Sequence, residues 1–117
     1  MIKYTVSARK LEVDRELTGY IERKIAKLDR YFPRAHRPVG ARIELHRDEA
    51  ASPDKRYVAS AHIEVQGPDL HAETATINPH SAIDILEAKL KDQIRKYKEK
   101  HVPKRFTLKR DNLTETT

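Results

Sequence analysis

Cysteine is absent from the 117 residues, which removes both a disulfide framework and any thiolate-bound metal. Glycine is scarce, with three residues and no phosphate-cradling loop among them. No apolar run is long enough for a membrane span or a signal peptide, so cytoplasmic residence with no membrane partner is expected. Ser7, Ser52, Ser60 and Ser81 lie in no nucleophile elbow. Enzymatic function, a small-molecule substrate and a cofactor are therefore not expected. Apolar residues make up 38% and charged residues 36%, low in apolar content for a globular domain. Placement decides the matter, because the apolar residues keep strict periods that a disordered chain would not.

Ile2, Tyr4, Val6 and Ala8 alternate with polar residues and read as a half-buried strand. Asp14 then caps a helix whose buried stripe is Leu17, Ile21, Ile25 and Leu28, ending near Tyr31 and Phe32 before Pro33. Three further alternating runs follow: Val39, Ala41, Ile43 and Leu45; then Tyr57, Ala59, Ala61, Ile63 and Val65; then Leu70, Ala72 and Thr74. Between the first two, the stretch from Asp48 to Arg56 reads as a longer, mobile loop. Asn78-Pro79 opens a last helix, with Ile83, Leu86, Leu90, Ile94 and Tyr97 as its stripe. The expected fold is α+β, a β-α-β-β-β-α two-layer sandwich whose four-stranded sheet carries both helices on one face. Residues 1–101 form this domain, and 102–117 read as a flexible tail, basic and then polar.

The net charge of +6 is unevenly spread. The first 38 residues carry +5, the next 39 carry −3, and the last 40 carry +4. Both helices fall in the basic thirds, so their face is expected to be cationic. On the last helix Lys89, Lys96 and Lys100 line one flank of the apolar stripe, and Lys91, Arg95 and Lys98 line the other. Along the first helix Tyr20, Lys24, Lys27 and Tyr31 form an aromatic-cation row. Such a surface suits nucleic acid, since lysines neutralise phosphates and tyrosines stack on bases or sugars. For a single helix, packing tyrosines and a solvated lysine face are the better explanation; two basic helices on one face shift the balance towards RNA.

Glu12-Val13-Asp14 leading into Lys24-Ile25-Ala26-Lys27-Leu28-Asp29-Arg30-Tyr31-Phe32, with Ala82-Ile83-Asp84, Lys89-Leu90, Gln93-Ile94 and Lys96-Tyr97-Lys98-Glu99-Lys100, resembles the ribosome hibernation promoting factor family. That group includes ribosome-associated inhibitor A, or protein Y. The resemblance runs from Ile2 to about His101 and implies the same βαβββα order. It further implies a factor that binds the small ribosomal subunit at the decoding region in slow growth or stress. There it would block messenger and transfer RNA. Carried over by position, the contacts are Lys24, Lys27, Lys89, Lys96, Lys98 and Lys100. Asp92 departs from the pattern, since arginine is common there in short members, and Lys91 or Arg95 would compensate. Lys104, Arg105, Lys109 and Arg110 match neither the acidic tail of protein Y-like members nor the linker and dimer-forming domain of long ones. The chain is then either a short form or the N-terminal domain of a long one, and an edge strand could pair two copies.

His46, His62 and His71 share the exposed sheet face with Glu44, Glu64 and Glu73. A tight turn at Gly67-Pro68 would set His62 opposite Glu73 and Glu64 opposite His71. Cross-strand charge pairing is the expected role, in preference to a zinc site. A double-stranded RNA-binding module is the alternative reading of the fold. Such modules usually begin with a helix and carry a basic cluster opening the last one, where this chain has Asn78-Pro79-His80-Ser81.

Overall fold

Alternating side chains leave each strand with one face to bury and one to wet. The computed structural model, which describes residues 2–101, assembles four such strands into one sheet. Chain order is β1 (Tyr4–Arg9), α1 (Arg15–Tyr31), β2 (Gly40–Arg47), β3 (Tyr57–Glu64), β4 (Leu70–Thr76) and α2 (Pro79–His101). The strands lie side by side in that same order, β1 parallel to β2 and the other pairs antiparallel. The α+β sandwich is as expected, with both helices on one face. The expected tail lies outside the described residues. None of the described helices is long and apolar enough to cross a membrane.

Caps position the helices. The Asp14 carboxylate accepts the Leu17 N–H at 2.8 Å, satisfying a donor that the first turn of α1 leaves unpaired. Asn78 does the same for Ser81 at 2.8 Å, and Pro79 fills the first position of α2, where no N–H is needed. Beyond α1, the Arg37 guanidinium bonds the Asp29 carboxylate and also donates to the carbonyls of Asp29 (3.1 Å) and Phe32 (3.3 Å). The chain leaving α1 is thereby tied back to its end. The loop after β2 contains a 3-10 turn at Pro53–Lys55 and is closed by Asp48 N–H to Arg56 carbonyl at 2.7 Å.

Leu17, Ile21, Ile25 and Leu28 of α1 and Ile83, Leu86, Leu90, Ile94 and Tyr97 of α2 are all buried. They meet Ile43, Leu45, Ala59, Ala61, Ile63, Leu70 and Ala72 of the sheet. Small alanines at the sheet centre let the helices approach closely, and each large side chain buried contributes about 1.5–3 kcal/mol. Tyr20 meets Asp84, Lys24 meets Glu87 and Phe32 meets Tyr97, so contacts advance along both helices together. The helices are therefore parallel, with both C-terminal ends at the same end of the domain. Cations there face two negative dipole ends, which gives Arg30, Lys96, Lys98 and Lys100 a stabilising role as well.

Two expectations about the strands are corrected. Val39 and Ala8 were to face the core, yet Val39 is 66% exposed and Ala8 is exposed too. Both share the inward parity but sit at ends of their strand runs, past the cover of the helices. The β3–β4 register is also displaced: His62 pairs with His71 and Ser60 with Glu73, with the ladder ending at Ile63 and Leu70. Pro68 has no N–H for a ladder and Gly67 takes φ 102°, so a wider loop replaces the tight turn. The shift is two residues, which preserves every side chain's face.

Candidate nucleic-acid interface

Parallel packing brings the basic faces of α1 and α2 side by side, and it also brings acids of α2 against lysines of α1. The Lys24 ammonium lies 3.0 Å from Glu87 Oε1 and 3.3 Å from Asp84 Oδ1, and Lys27 lies 3.3 Å from Glu87 Oε2. The Tyr20 hydroxyl donates to the same Asp84 carboxylate, while His80 meets the Tyr20 ring edge-on at 4.8 Å. Glu87 is only 13% exposed and Lys24 only 21%, so this is a half-buried clasp between helices. Lys27, 53% exposed, keeps access to solvent beside it.

The clasp shows in its ionisation. The bond from Tyr20, then the contact with Lys24, lowers the Asp84 carboxyl below its ordinary range. The same bond to Asp84 raises Tyr20, and the bond to Glu87 raises Lys24. A lowered carboxyl stabilises the fold above its unfolded pKa of about 3.9, and that contribution disappears as pH falls through the lower folded value. The raised Tyr20 and Lys24 contribute below about pH 10 and lose their contribution as pH rises through the folded values. Asp84→Asn should therefore cost about 1 kcal/mol or less at pH 7, discounted for its exposure. Urea unfolding from pH 3 to 9 should show the gap to the unaltered protein constant above about pH 5 and closing below about pH 4. A gap undiminished at pH 3 would contradict the clasp.

The remaining predicted cations divide by partner. On α2, Arg95 pairs with Asp92 and lies 3.3 Å from Glu99, while Lys96 lies 3.4 Å from Asp92. These pairs lower the Asp92 carboxyl, chiefly through Arg95, and raise Arg95 through Asp92. Lys89 donates to the Glu73 carbonyl at 2.7 Å, and Gln93 bonds both the N–H and the carbonyl of His71. Together they cover the open edge of β4, so that flank of α2 caps the sheet as well as presenting charge. Lys91 lies over the Tyr31 ring, its Nζ 5.2 Å from the centroid. Lys89, Lys91, Lys98 and Lys100 have no carboxylate at ion-pair distance among the described residues.

Sequence reasoning missed Arg23, Arg30 and Arg34. Arg23 and Arg30 flank Lys27 of the predicted row at i, i+4, i+7 spacing on the outer surface of α1, with Arg34 just beyond. Arg23, Arg30 and Arg34 are exposed and carry no ion pair among the described residues. The arginines are visible in the sequence, but they lie further from the apolar margin than the aromatic-cation row.

Between the helices, Tyr31, Ala88 and Ile94 with Lys91, Asp92, Arg95 and Lys98 line an open groove of about 360 Å³. On the opposite face of the sheet, the His62 and His71 rings face each other at 4.3 Å, and Ser60 lies 3.5 Å from Glu44. No group of three or more metal-ligating side chains converges among the described residues.

A family model described as sigma 54 modulation protein / S30EA ribosomal protein matches residues 4–102. The chain is 36% identical over 98 residues to the ribosome hibernation promotion factor of Lactococcus lactis subsp. cremoris, covering 84% of this chain and 50% of that protein. It is 28% identical over 102 residues to the factor of the same name from Deinococcus radiodurans, covering 87% and 52%. This chain spans about half the length of the curated relatives it matches. Among solved structures, the protein Y N-terminal domain of Thermus thermophilus superposes with a TM-score of 0.67 at 25% identity, over 83% of this chain and 99% of that one. A ribosomal subunit interface protein from Coxiella burnetii has the same fold, with a TM-score of 0.67 at 20% identity over 84% and 99%.

Proposed function

The chain belongs to the sigma 54 modulation protein / S30EA ribosomal protein family, and from that premise we propose that it is a ribosome hibernation factor acting without chemistry. Its helical face docks on rRNA of the small subunit at the decoding region and excludes messenger and transfer RNA in slow growth or stress. The observation that carries the docking surface is that Lys89 and Lys100 on one flank of α2, and Lys91 and Lys98 on the other, have no carboxylate partner among the described residues. Their affinity for phosphate is not already spent within the domain. Lys24, Lys27, Arg95 and Lys96 contribute less, because acids of α2 offset them. Tyr20 is tied to Asp84, which leaves Tyr31 as the aromatic contact.

Folded RNA is recognised by shape as well as charge, and the two parallel helices supply a rigid, ridged surface for it. Should two copies pair through an edge strand, β1 is the edge that would serve, since Gln93 and Lys89 occupy that of β4. Hydroxyl-radical footprinting of the small subunit tests the docking site. The expected result is protection confined to the decoding region and lost when transfer RNA is added. Protection elsewhere would overturn the assignment. Equal competition by free duplex RNA would favour a duplex-binding module instead.

A further inference from the structure

We propose that the groove between α1 and α2 takes one unstacked RNA base, with the Tyr31 ring as its stacking platform and Lys91 and Lys98 holding the adjoining phosphates. The inference rests on the docking reading above and assigns a nucleotide site within that surface. Four observations carry it. The groove, about 360 Å³, falls within the size range of small-ligand sites (roughly 300–1,000 Å³) and is open to solvent on one side. Between its charged residues the groove exposes the Ala88 methyl beside the Tyr31 ring, an apolar surface that complements the face of a base and not a phosphate. Tyr31 is half-buried against the core, so its ring is held in one orientation. At the rim, Arg95 is offset by Asp92 and Glu99, leaving Lys91 and Lys98 as the lining cations with no ion pair among the described residues.

In the free protein the Lys91 ammonium lies over the Tyr31 ring. A base and an ammonium compete for the same π face, and base stacking on an aromatic side chain is the stronger contact. An arriving nucleotide displaces Lys91 from the ring and offers it a phosphate in exchange. Tyr20 makes no comparable site, because its hydroxyl is bonded to Asp84 and its ring is met by His80, Arg23 and Lys24.

The sequence contains no tryptophan, so Tyr31→Trp places the chain's single indole in the groove. Titrating that variant with small ribosomal subunits should quench its emission, since a stacked base deactivates the indole. Tyr31→Leu should bind roughly tenfold more weakly with an unchanged salt dependence, whereas Lys98→Gln should lower the salt slope by about one. Circular dichroism would establish that all three variants fold. Co-sedimentation of the Trp variant with no change in emission, together with unaltered affinity of Tyr31→Leu, would overturn the base site while leaving the docking reading intact. Failure of the unaltered protein to bind subunits at all would overturn both.

Discussion

Replacing Lys89, Lys91, Lys98 and Lys100 together by glutamate is expected to weaken small-subunit binding by more than about 10³-fold near 0.15 M salt, while the domain stays folded. Phosphate contacts act through counterion release, and a protein making 6–10 of them loses about 10³–10⁵ in affinity when salt rises from 50 to 200 mM. Reversing four charges removes comparable attraction and adds repulsion. The fold tolerates this because none of the four is ion-paired among the described residues. The stability at risk is the Lys91–Tyr31 contact, the Lys89 bond to β4, and the helix dipole favouring Lys98 and Lys100, each about 0.3–1 kcal/mol. The comparison variant is Lys24→Glu with Lys27→Glu, which sets two new carboxylates against Glu87. That pair should lose more stability and less affinity. The opposite ordering, read by gradient sedimentation and thermal melts, would relocate the interface to α1.

Ile94→Ala is expected to cost about 2–5 kcal/mol, the second large effect. Ile94 is fully buried in the stripe of α2, with Leu90 and Tyr97 in the same core cluster. A small α+β domain holds only about 5–15 kcal/mol in total, so the loss takes a large fraction. In urea the midpoint should fall with the slope unchanged, because the same surface is exposed on unfolding. A loss below about 1 kcal/mol would mean that α2 is not anchored through this residue.

Much of the fold is legible because each element carries its own period. Alternation marks the strands, the 3.6-residue stripe marks Leu17 to Leu28 and Ile83 to Tyr97, and the caps Asp14 and Asn78 stand at the expected starts. The misses share a cause, which is that they depend on alignment between elements. The register of β3 on β4 turns on how Gly67 and Pro68 shape their loop, and local pattern preserves parity but not the two-residue offset.

The same limit applies to the candidate site. That Lys24 and Lys27 face α1's margin is a matter of helical angle, whereas their pairing with Glu87 depends on the axial position of α2, about 60 residues further on. Tyr20 and Tyr31 look equivalent at their helical spacing. Only packing separates them, placing one in the clasp with Asp84 and the other over an open groove. Gln93 has no pattern to announce it, since its role is to occupy backbone groups of a strand edge.

Co-sedimentation of the purified protein with bacterial ribosomes and separated subunits, over a range of salt, is the most direct measurement. The predicted result is migration with small subunits and intact ribosomes, lost as salt rises, competed by transfer RNA, and absent for the variant with the four α2 lysines reversed. Recovery at the top of the gradient even at low salt, or in the ribosomal fractions with those four charges reversed, would contradict docking through the helical face.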